Sequence, residues 1–550
     1  MSLIILISLD NGNTMHICCK KLLSCSSLLL IFIFAASVCL AETTQADIQA
    51  IFNKPLYNQS KWSLRVLDAD TNKIIIDYNS NDQLYIASVR KVFVVGEYMQ
   101  ALGPYHQTVT TVHYDGSIKR GVLKGNLVLL ASGDIVMGGR TLPNGKLAFT
   151  TIDHNNASDV GNAELVSTDP LAGYKSLVKQ IKNSGIKKIS GDIIIDDRLF
   201  EPFNFRDQFY VTPIFVNDDV IDIKINPGEI SEPAQIDWQP KSAAFNVINH
   251  SSMSQAGQAY TLALKPFIPE CFGKTDCHGE VINHLPLGYV PPFTKKYPII
   301  QTFRISKPSN YARTIFIEAL SNAGVDVSAV TLVKDNPVDL LKDPKRYTEH
   351  NKLAELKSLS YSEYAKLIFK VSYNLGSDTT LMLYGLSQGV RTMADSLRIE
   401  KNILKRKYGI SPDTYHFPDG SGGGLTTATA KTVTDWLSIM YKSKSYQAFR
   451  DAMPLLGYDG SFKFSNQFKA DATLKGAEKN VSGKSGTMIE VKGSHFIVKG
   501  QAFAGYINTR NHHHLLYHVV VNNVDIPSVE DSLDIFEDQG TITAILWRDY

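Results

Sequence analysis

Three short polar motifs, far apart in the chain, constrain its fold more than any other feature of the sequence. They are Ser-x-x-Lys at 88–91, Ser-x-Asn at 372–374 and Lys-Ser-Gly-Thr at 484–487. Each one sets a hydroxyl group close in sequence to a lysine or an amide that could act on it. If the three serve one site, segments hundreds of residues apart must converge in the fold.

A Ser-x-x-Lys match alone is weak support for catalysis. The chain contains two further matches at the same spacing, Ser176–Lys179 and Ser184–Lys187. For any single match, a pair of solvated side chains is the simpler interpretation. The match at Ser88 differs because the other two motifs follow it in order, and three such agreements favour a functional site.

The first motif suits nucleophilic catalysis by a serine. A serine hydroxyl is a weak nucleophile at neutral pH and needs a base. Residues three apart on a helix share a face, so Lys91 can reach Ser88. Burial, or the positive charge of Lys484 nearby, would lower the pKa of Lys91 and allow it to accept the proton. A helix N-terminus at Ser88 would favour a developing anion.

The other two motifs supply the remaining groups that acyl transfer needs. Ser372 can relay a proton to the leaving group, and Asn374 can hold Lys91 and a substrate amide. A cation and hydroxyl groups suited to a terminal carboxylate come from Lys484, Ser485 and Thr487. Gly486 fits a strand that another chain approaches closely, so substrate backbone can lie along it. The predicted oxyanion hole is formed by the amides of Ser88 and Thr487.

With these residues the chain resembles the class C low-molecular-mass penicillin-binding proteins, the D-alanyl-D-alanine carboxypeptidases/endopeptidases. The resemblance covers nearly the whole mature chain and includes, in the family's order, "LDADTNKIIIDYN", "GVLKGNLVLLASGD", "ISGDIIIDD", "VNDDVIDIKINPG", "FPDGSGGGL", "LLGYDGSF" and "AGYI". It implies an α+β fold, with the antiparallel sheet flanked by helices of the penicillin-binding-protein/beta-lactamase-like transpeptidase domain. Two nested, strand-rich inserted domains would separate Ser88 from Ser372.

The resemblance also implies a division of the chain into domains. The expected parts are a signal peptide at 1–41, a discontinuous catalytic penicillin-binding domain at 42–105 and 352–550, inserted domain II at 106–205 and 315–351, and inserted domain III at 206–314.

The activity implied by the resemblance is hydrolysis of peptidoglycan stem peptides. A D-Ala-D-Ala terminus would acylate Ser88 and release D-alanine, Lys91 would be the general base, and water would hydrolyse the acyl-enzyme. Cleavage of a cross-link is the same chemistry with another leaving amine, and beta-lactams would acylate the same serine. No metal and no cofactor are expected.

The sequence departs from the family pattern at three places. Lys-Ser-Gly replaces Lys-Thr-Gly, which keeps the hydroxyl group. The glycine-rich stretch after Asp419 carries an extra glycine and lacks the Ser-Arg that usually follows leucine. This departure concerns substrate contacts near Asp419, which is predicted to bind substrate. Tyr373, in the middle of Ser-x-Asn, is bulkier than usual and is expected to narrow the cleft.

Two other classes of function fit parts of the same pattern. One is a beta-lactamase or esterase that uses the same serine, but no glutamate can be assigned as its deacylating base. The other is a non-catalytic scaffold that binds peptidoglycan. The three motifs keep their functional groups, which argues against the scaffold.

The N-terminus and the cysteines indicate the compartment. Lys20 and Lys21 precede an apolar run at 28–40 that ends near Ala41, the pattern of a cleavable signal peptide. We expect a periplasmic protein with at most peripheral membrane contact; a retained N-terminal anchor is the alternative. Cys271 and Cys277 would remain after cleavage, and a short-loop disulfide is favoured over a metal site.

Two further features bear on nucleic-acid and metal binding. The formal net charge of +2 gives no reason to expect a nucleic-acid partner. The tract of His512, His513, His514 and His518 invites a metal hypothesis, but its place between two terminal strands favours an exposed hairpin turn.

Overall fold

The computed structural model describes residues 44–157, 161–493 and 495–550. The predicted signal peptide at 1–41 lies outside these ranges. Within them, none of the helices combines the length and the apolar character that crossing a membrane requires.

The described residues form both α-helices and β-strands, and the longest run of strands without an α-helix spans 188–304. The α-helices are α1 (44–52), α2 (Lys91–Leu102), α3 (Ala172–Asn183), α4 (Pro308–Asn322), α5 (Tyr361–Lys366), α6 (Asn374–Ser387), α7 (Met393–Tyr408), α8 (Ala430–Tyr441), α9 (Tyr446–Asp451) and α10 (Ser532–Asp549). The strands are β1 (Lys61–Asp68), β2 (Ile74–Tyr78), β3 (Gln83–Tyr85), β4 (Val109–Lys119), β5 (Val122–Leu130), β6 (Lys188–Ile189), β7 (Ile193–Asp196), β8 (Phe203–Phe205), β9 (Phe209–Val211), β10 (Val220–Asn226), β11 (Gln235–Gln239), β12 (Asn246–Ser254), β13 (Ala263–Lys265), β14 (His278–Pro286), β15 (Ile299–Arg304), β16 (Asp326–Val327), β17 (Lys352–Lys357), β18 (Tyr415–His416), β19 (Thr427–Thr429), β20 (Val481–Lys492), β21 (His495–Asn508), β22 (His514–Asn522) and β23 (Val524–Ile526).

The central sheet joins the two ends of the chain. Its antiparallel order is β2-β1-β22-β21-β20, with β23 paired to β21. Side chains of a strand alternate between the two faces of a sheet, and β22 is apolar on both. Leu515, Tyr517 and Val519 lie in the core beneath α1 and α10, whereas Leu516 and Val520 face the core beneath α2 and α8. The sheet is therefore covered by helices on both sides.

A strand-rich region lies between α2 and α5 in the sequence. Its largest sheet has the order β16-β6-β5-β4-β17, with β7 also paired to β5. Smaller sheets are β11-β10-β15 and β12-β14-β13, and β8 and β9 form a separate hairpin. Helices α3 and α4 contribute Leu177, Ile181 and Ile315 to the apolar core of this region. The predicted domain boundaries stay a prediction; β17, which follows the boundary at 351, pairs with β4 of predicted domain II.

Two local features bear on the cysteine and histidine patterns. Cys271 and Cys277 are joined by a disulfide with an S–S distance of 2.06 Å, shortly before β14. His512 and His513 are exposed in the turn between β21 and β22, whereas His518 is fully buried within β22. The histidines of the tract therefore lie in different environments.

Candidate active site

Ser88 and Lys91 are brought together where a tight turn enters a buried helix. Ser88 lies in the 3₁₀ turn Ala87–Arg90, and Lys91 is the first residue of α2. The Lys91 Nζ lies 2.8 Å from Ser88 Oγ, and it donates hydrogen bonds to Asn374 Oδ1 at 2.7 Å and to the Ser421 carbonyl oxygen at 2.6 Å. The lysine is fully buried and the serine only partly so. A base therefore lies within hydrogen-bonding distance of an accessible hydroxyl group.

The charges around Lys91 favour its neutral form. Burial lowers the pKa of Lys91 well below its usual value, and the positive charges of Lys484 and Arg206 lower it further. The carboxylates of Asp378 and Asp419 act in the opposite direction. Burial also lowers the pKa of Lys484, to about 7. Because burial and the neighbouring positive charges all disfavour its ammonium form, Lys91 can serve as a neutral base.

The backbone around Ser88 is closely packed and locally strained. Ala87 has a φ of 44°, in the left-handed region that residues with a Cβ rarely adopt. A Cβ on Gly422 would lie 2.2 Å from the Ala87 carbonyl oxygen, and a Cβ on Gly486 would lie 2.1 Å from that of Ile86 and 2.9 Å from the Ser88 nitrogen. Gly486 is thus needed because β20 passes against the turn that carries Ser88.

The second motif lies at a break between two helical segments. A π-helical turn, Leu367–Val371, ends at Ser372, whose φ of 65° reverses the chain before α6 begins at Asn374. Tyr373 is only 2% exposed and lies against Gly376. The expectation that Tyr373 narrows the cleft is therefore wrong, because the reversal directs its ring away from the cavity that Ser372 and Asn374 line.

The third motif lies on β20, beside the turn of Ser88. Ser485 Oγ is 2.7 Å from Ser461 Oγ, and Thr487 Oγ1 donates to Gln501 Oε1 at 2.7 Å. The Lys484 side chain is fully buried, and its Nζ donates to the Ser485 carbonyl oxygen at 2.6 Å. Two hydroxyl groups of this strand are therefore held in place, with a buried cation behind them.

Residues of the three motifs line a single cavity of about 740 Å³. Those that reach its surface are Ser88, Ser372, Asn374, Ser485 and Thr487. Away from Ser88 the wall becomes apolar, with Phe293, Phe464, Phe496 and Phe536 among its residues. Phe293 comes from the strand-rich region, and its ring centroid lies 6.2 Å from that of Phe464. The strand-rich region thus forms part of the cleft.

Asp419 faces its own loop rather than the cavity. Its carboxylate accepts hydrogen bonds from the amides of Ser421, Gly422 and Gly423, the shortest at 2.6 Å. The same loop presents the Ser421 carbonyl to Lys91. Asp419 therefore shapes a loop of the site, and a direct contact with substrate stays a prediction.

Several residues of the site escaped the sequence analysis. Asp378 lies one helical turn after Asn374, so helical spacing could have indicated it. Burial raises the pKa of Asp378 to about 7. Ser461 belongs to "LLGYDGSF", a segment whose order in the chain matches the family but whose sequence does not indicate a role. Ser421 acts through its carbonyl, and Arg206 reaches the site from the strand-rich region; no local pattern points to either.

A separate buried cluster has the composition of a metal site. Ligand atoms of Asp153, His154 and Asp218 lie within 4.8 Å of one another. The guanidinium of Arg140 is 2.6 Å from both aspartates and already supplies a positive charge there. Because the Arg140 guanidinium already balances the charge of both aspartates, the cluster is a salt-bridge network and not a metal site.

Comparison with known proteins finds one family over most of the chain. The model of the D-Ala-D-Ala carboxypeptidase 3 (S13) family matches residues 44–540. The D-alanyl-D-alanine carboxypeptidase DacB of Haemophilus influenzae is 23% identical over 490 residues, which span 85% of this chain and 88% of that protein.

Solved structures show the same fold. The crystal structure of penicillin binding protein 4 (dacB) from Haemophilus influenzae matches with a TM-score of 0.66 and 18% identity, over 91% of this chain and 99% of that one. Its complex with a beta-lactam matches with a TM-score of 0.64 and 19% identity, over 92% and 99%. The predicted fold class, a sheet flanked by helices with strand-rich insertions, is confirmed.

Proposed function

Since the chain belongs to the D-Ala-D-Ala carboxypeptidase 3 (S13) family, we propose that it cleaves peptidoglycan stem peptides through an acyl-enzyme on Ser88. The reaction is that of a serine-type D-Ala-D-Ala carboxypeptidase, and cleavage of cross-links follows the same route. The observation that carries the proposal is the buried Lys91 Nζ, 2.8 Å from a serine hydroxyl that opens onto the cavity.

Acylation begins when neutral Lys91 takes the proton of Ser88. The Oγ attacks the carbonyl carbon of the penultimate D-alanine, and the amides of Ser88 and Thr487 stabilise the oxyanion. Ser372 relays the proton held by Lys91 to the departing nitrogen, so the peptide bond breaks, D-alanine leaves and Lys91 is neutral again. Water then attacks the ester, which releases the shortened peptide and restores the Ser88 hydroxyl.

Recognition of the terminal carboxylate falls to β20. The hydroxyls of Ser485 and Thr487 reach the cavity, and the charge of Lys484 lies behind them. Asn374 already accepts from Lys91 and has its amide nitrogen left for the substrate. Beta-lactams carry a comparable carboxylate beside a reactive amide, and the solved complex of the related penicillin binding protein 4 contains one.

We place the enzyme in the periplasm, where peptidoglycan is found. The charged and apolar pattern at 20–41 supports a cleavable signal peptide. The disulfide between Cys271 and Cys277 supports an oxidising compartment.

Replacing Ser88 tests the proposal directly. We expect wild-type protein to gain the mass of one penicillin on incubation with benzylpenicillin, and to release D-alanine from a pentapeptide. Ser88→Ala should lose both activities. Ser176→Ala is a matched control, since that exposed serine also precedes a lysine by three residues. A covalent adduct on Ser88→Ala would refute the proposal, and release of penicilloate within seconds would indicate a beta-lactamase.

A further inference from the structure

The β8–β9 hairpin brings an arginine from the strand-rich region to the loop beside the catalytic lysine. Arg206 lies in the turn of this hairpin, between Phe205 and Phe209. Its Nη2 donates to Ser421 Oγ at 3.0 Å, and its Nε is 3.7 Å from Asp419 Oδ2. The guanidinium therefore contacts the loop that presents a carbonyl to Lys91.

Ser421 connects this arginine to the reacting groups. Its carbonyl oxygen accepts from Lys91 Nζ at 2.6 Å and lies 3.4 Å from Ser88 Oγ. A shift of this carbonyl would alter the hydrogen bonds of both the base and the nucleophile. Catalytic rates are sensitive to displacements of about 1 Å, so a contact that fixes Ser421 has consequences for acylation.

The backbone of the hairpin turn is unfavourable for the residues it contains. Arg206 has a φ of 53° and Asp207 a φ of 58°, both in the left-handed region. Turns of this kind favour glycine and asparagine at the two central positions. The Arg206 guanidinium also lies over the Phe205 ring, with its Cζ 4.9 Å from the centroid. Residues other than glycine that adopt an unfavourable backbone conformation are concentrated at functional sites.

We propose that Arg206 is a positioning residue of the acylation site. It holds the Ser421 carbonyl against Lys91 and adds a positive charge beside the base. This inference rests on the proposed function, because it concerns the acylation of Ser88. The strand-rich region would therefore influence acylation through the Ser421 loop.

The charge of Arg206 has a predictable effect on the pH dependence of acylation. The groups that act on Lys91 are Lys484 and Arg206, which lower its pKa, and Asp378 and Asp419, which raise it. Loss of the Arg206 charge raises the pKa of Lys91. It also favours neutral Asp378, which offsets part of that rise. Arg206 has a larger influence on the pKa of Lys91 than Asp378 has. The pKa of Lys91, and with it the pH profile of acylation, should therefore move to higher pH in a variant without that charge.

The test compares substitutions of two arginines of the strand-rich region. Arg206→Gln removes the charge, and Arg206→Lys keeps it. Arg198→Gln is the matched control, since Arg198 is similarly exposed (38% against 35%) and also pairs with an aspartate. The rate constant for acylation by benzylpenicillin is measured from pH 5 to 10. We expect Arg206→Gln to be about tenfold slower at pH 7, with its rise in rate displaced to higher pH.

The remaining variants define what would overturn the inference. Arg206→Lys should restore the pH profile, and Arg198→Gln should match wild type. Ser421→Ala removes a hydroxyl that accepts from Arg206 and donates to Asp419 Oδ2 at 3.2 Å, and it should acylate several-fold more slowly. Because this hydroxyl also lowers the pKa of Asp378, its loss should not displace the profile to higher pH. Wild-type rates and profile for both Arg206→Gln and Ser421→Ala would overturn the inference. So would a slowing by Arg206→Gln that has no pH displacement and that lysine does not rescue.

Melting temperatures separate folding defects from the proposed effect. If Arg206→Gln does not fold, Ser421→Ala carries the test, and a wild-type acylation rate for that variant would overturn the inference. The Ser88→Ala result is independent of these variants. Loss of the adduct in Ser88→Ala together with a wild-type Arg206→Gln would leave the proposed function standing and remove only the role of Arg206.

Discussion

At the scale of single residues, the site depends on keeping one buried lysine neutral. Two cations lower the pKa of Lys91 and two carboxylates raise it, on top of the effect of burial. Burial alone would leave the base neutral but poorly oriented. The hydrogen bonds to Asn374 and the Ser421 carbonyl fix the Nζ, so that its lone pair can be directed at Ser88.

Asp378 acts on the pKa of Lys91 in the direction opposite to Arg206, so its removal should displace the pH profile of acylation in the opposite direction. Its carboxylate accepts from the Gly420 amide at 2.8 Å, and its pKa is raised to about 7 by burial. Once ionised, Asp378 favours the ammonium form of Lys91. We expect Asp378→Asn, which keeps the acceptor oxygen, to displace the acylation profile to lower pH and to speed acylation about two- to fivefold near pH 7.

The measurement is the acylation rate with benzylpenicillin between pH 5 and 10. Asp395→Asn serves as the control and should leave the acylation profile unchanged, since Asp395 is a half-buried aspartate that pairs with Arg398 on α7. A profile displaced to higher pH, or one identical to wild type, would contradict the role given to Asp378.

At the scale of elements, short irregular segments place the reactive groups and regular elements hold them. Ser88 lies in a 3₁₀ turn and Ser372 at the end of a π-helical turn. Lys91, Asn374 and Lys484 lie on α2, α6 and β20. Irregular turns let a side chain reach the cavity, and the adjoining helices and strands fix the turn.

One such segment is the short turn His154–Asn156, which supports the second motif. The Asn156 side chain donates to the Val371 carbonyl, directly before Ser372, at 3.1 Å. His154 is held by Asp222 at 2.8 Å and by Asp218 at 3.0 Å. Burial and the Arg140 charge lower the pKa of His154, but the carboxylates of Asp222, Asp153 and Asp218 outweigh them and raise it to about 10. The histidine is therefore charged in the folded protein at neutral pH.

His154→Gln should destabilise the protein by roughly 3–5 kcal/mol at pH 6, because it leaves the buried Asp222 carboxylate without its cation, whereas Asp218 keeps Arg140. The folded-state pKa of His154, about 10, is raised above its usual 6.5. The stabilisation is therefore fully present below pH 6.5 and is lost as the pH rises toward 10. Urea denaturation at several pH values should show the difference from wild type shrinking across this range.

The control for this prediction is His350→Gln, since His350 is exposed. Its effect should stay within about 0.5 kcal/mol at every pH. A His154→Gln effect that grows as the pH rises from 6.5 would show that the histidine is neutral in the folded state.

At the scale of the whole molecule, the sequence was most informative where residues act through side chains in short motifs. The family predicted from three motifs is confirmed by the match over 44–540. Ser421 could not be predicted, because its carbonyl carries no side-chain signature. Arg206 could not be predicted either, because its contact with Ser421 joins segments that are distant in sequence. Tyr373 was misjudged because a single residue with positive φ turned it away from the cleft.

The catalytic region and the strand-rich region share a hydrophobic core. Phe200, Phe203 and Phe215 belong to the same buried cluster as Val92 and Phe93 of α2. Burying a phenylalanine side chain stabilises a fold by about 1.5–3 kcal/mol, and these residues connect the two regions. We therefore expect the regions to unfold together, in contrast to independent domains joined by linkers.

Calorimetry of the whole protein should show one unfolding transition. Acylation by benzylpenicillin should raise the midpoint temperature of that single transition. Phe200→Ala should lower the midpoint temperature of the same transition, because Phe200 is only 1% exposed and its removal should reduce the free energy of unfolding by about 3–5 kcal/mol. Tyr210→Ala, on the hairpin that carries Arg206, is the control, since Tyr210 is 59% exposed. Two separate transitions, with penicillin raising one and Phe200→Ala lowering the other, would show that the shared core does not couple the regions.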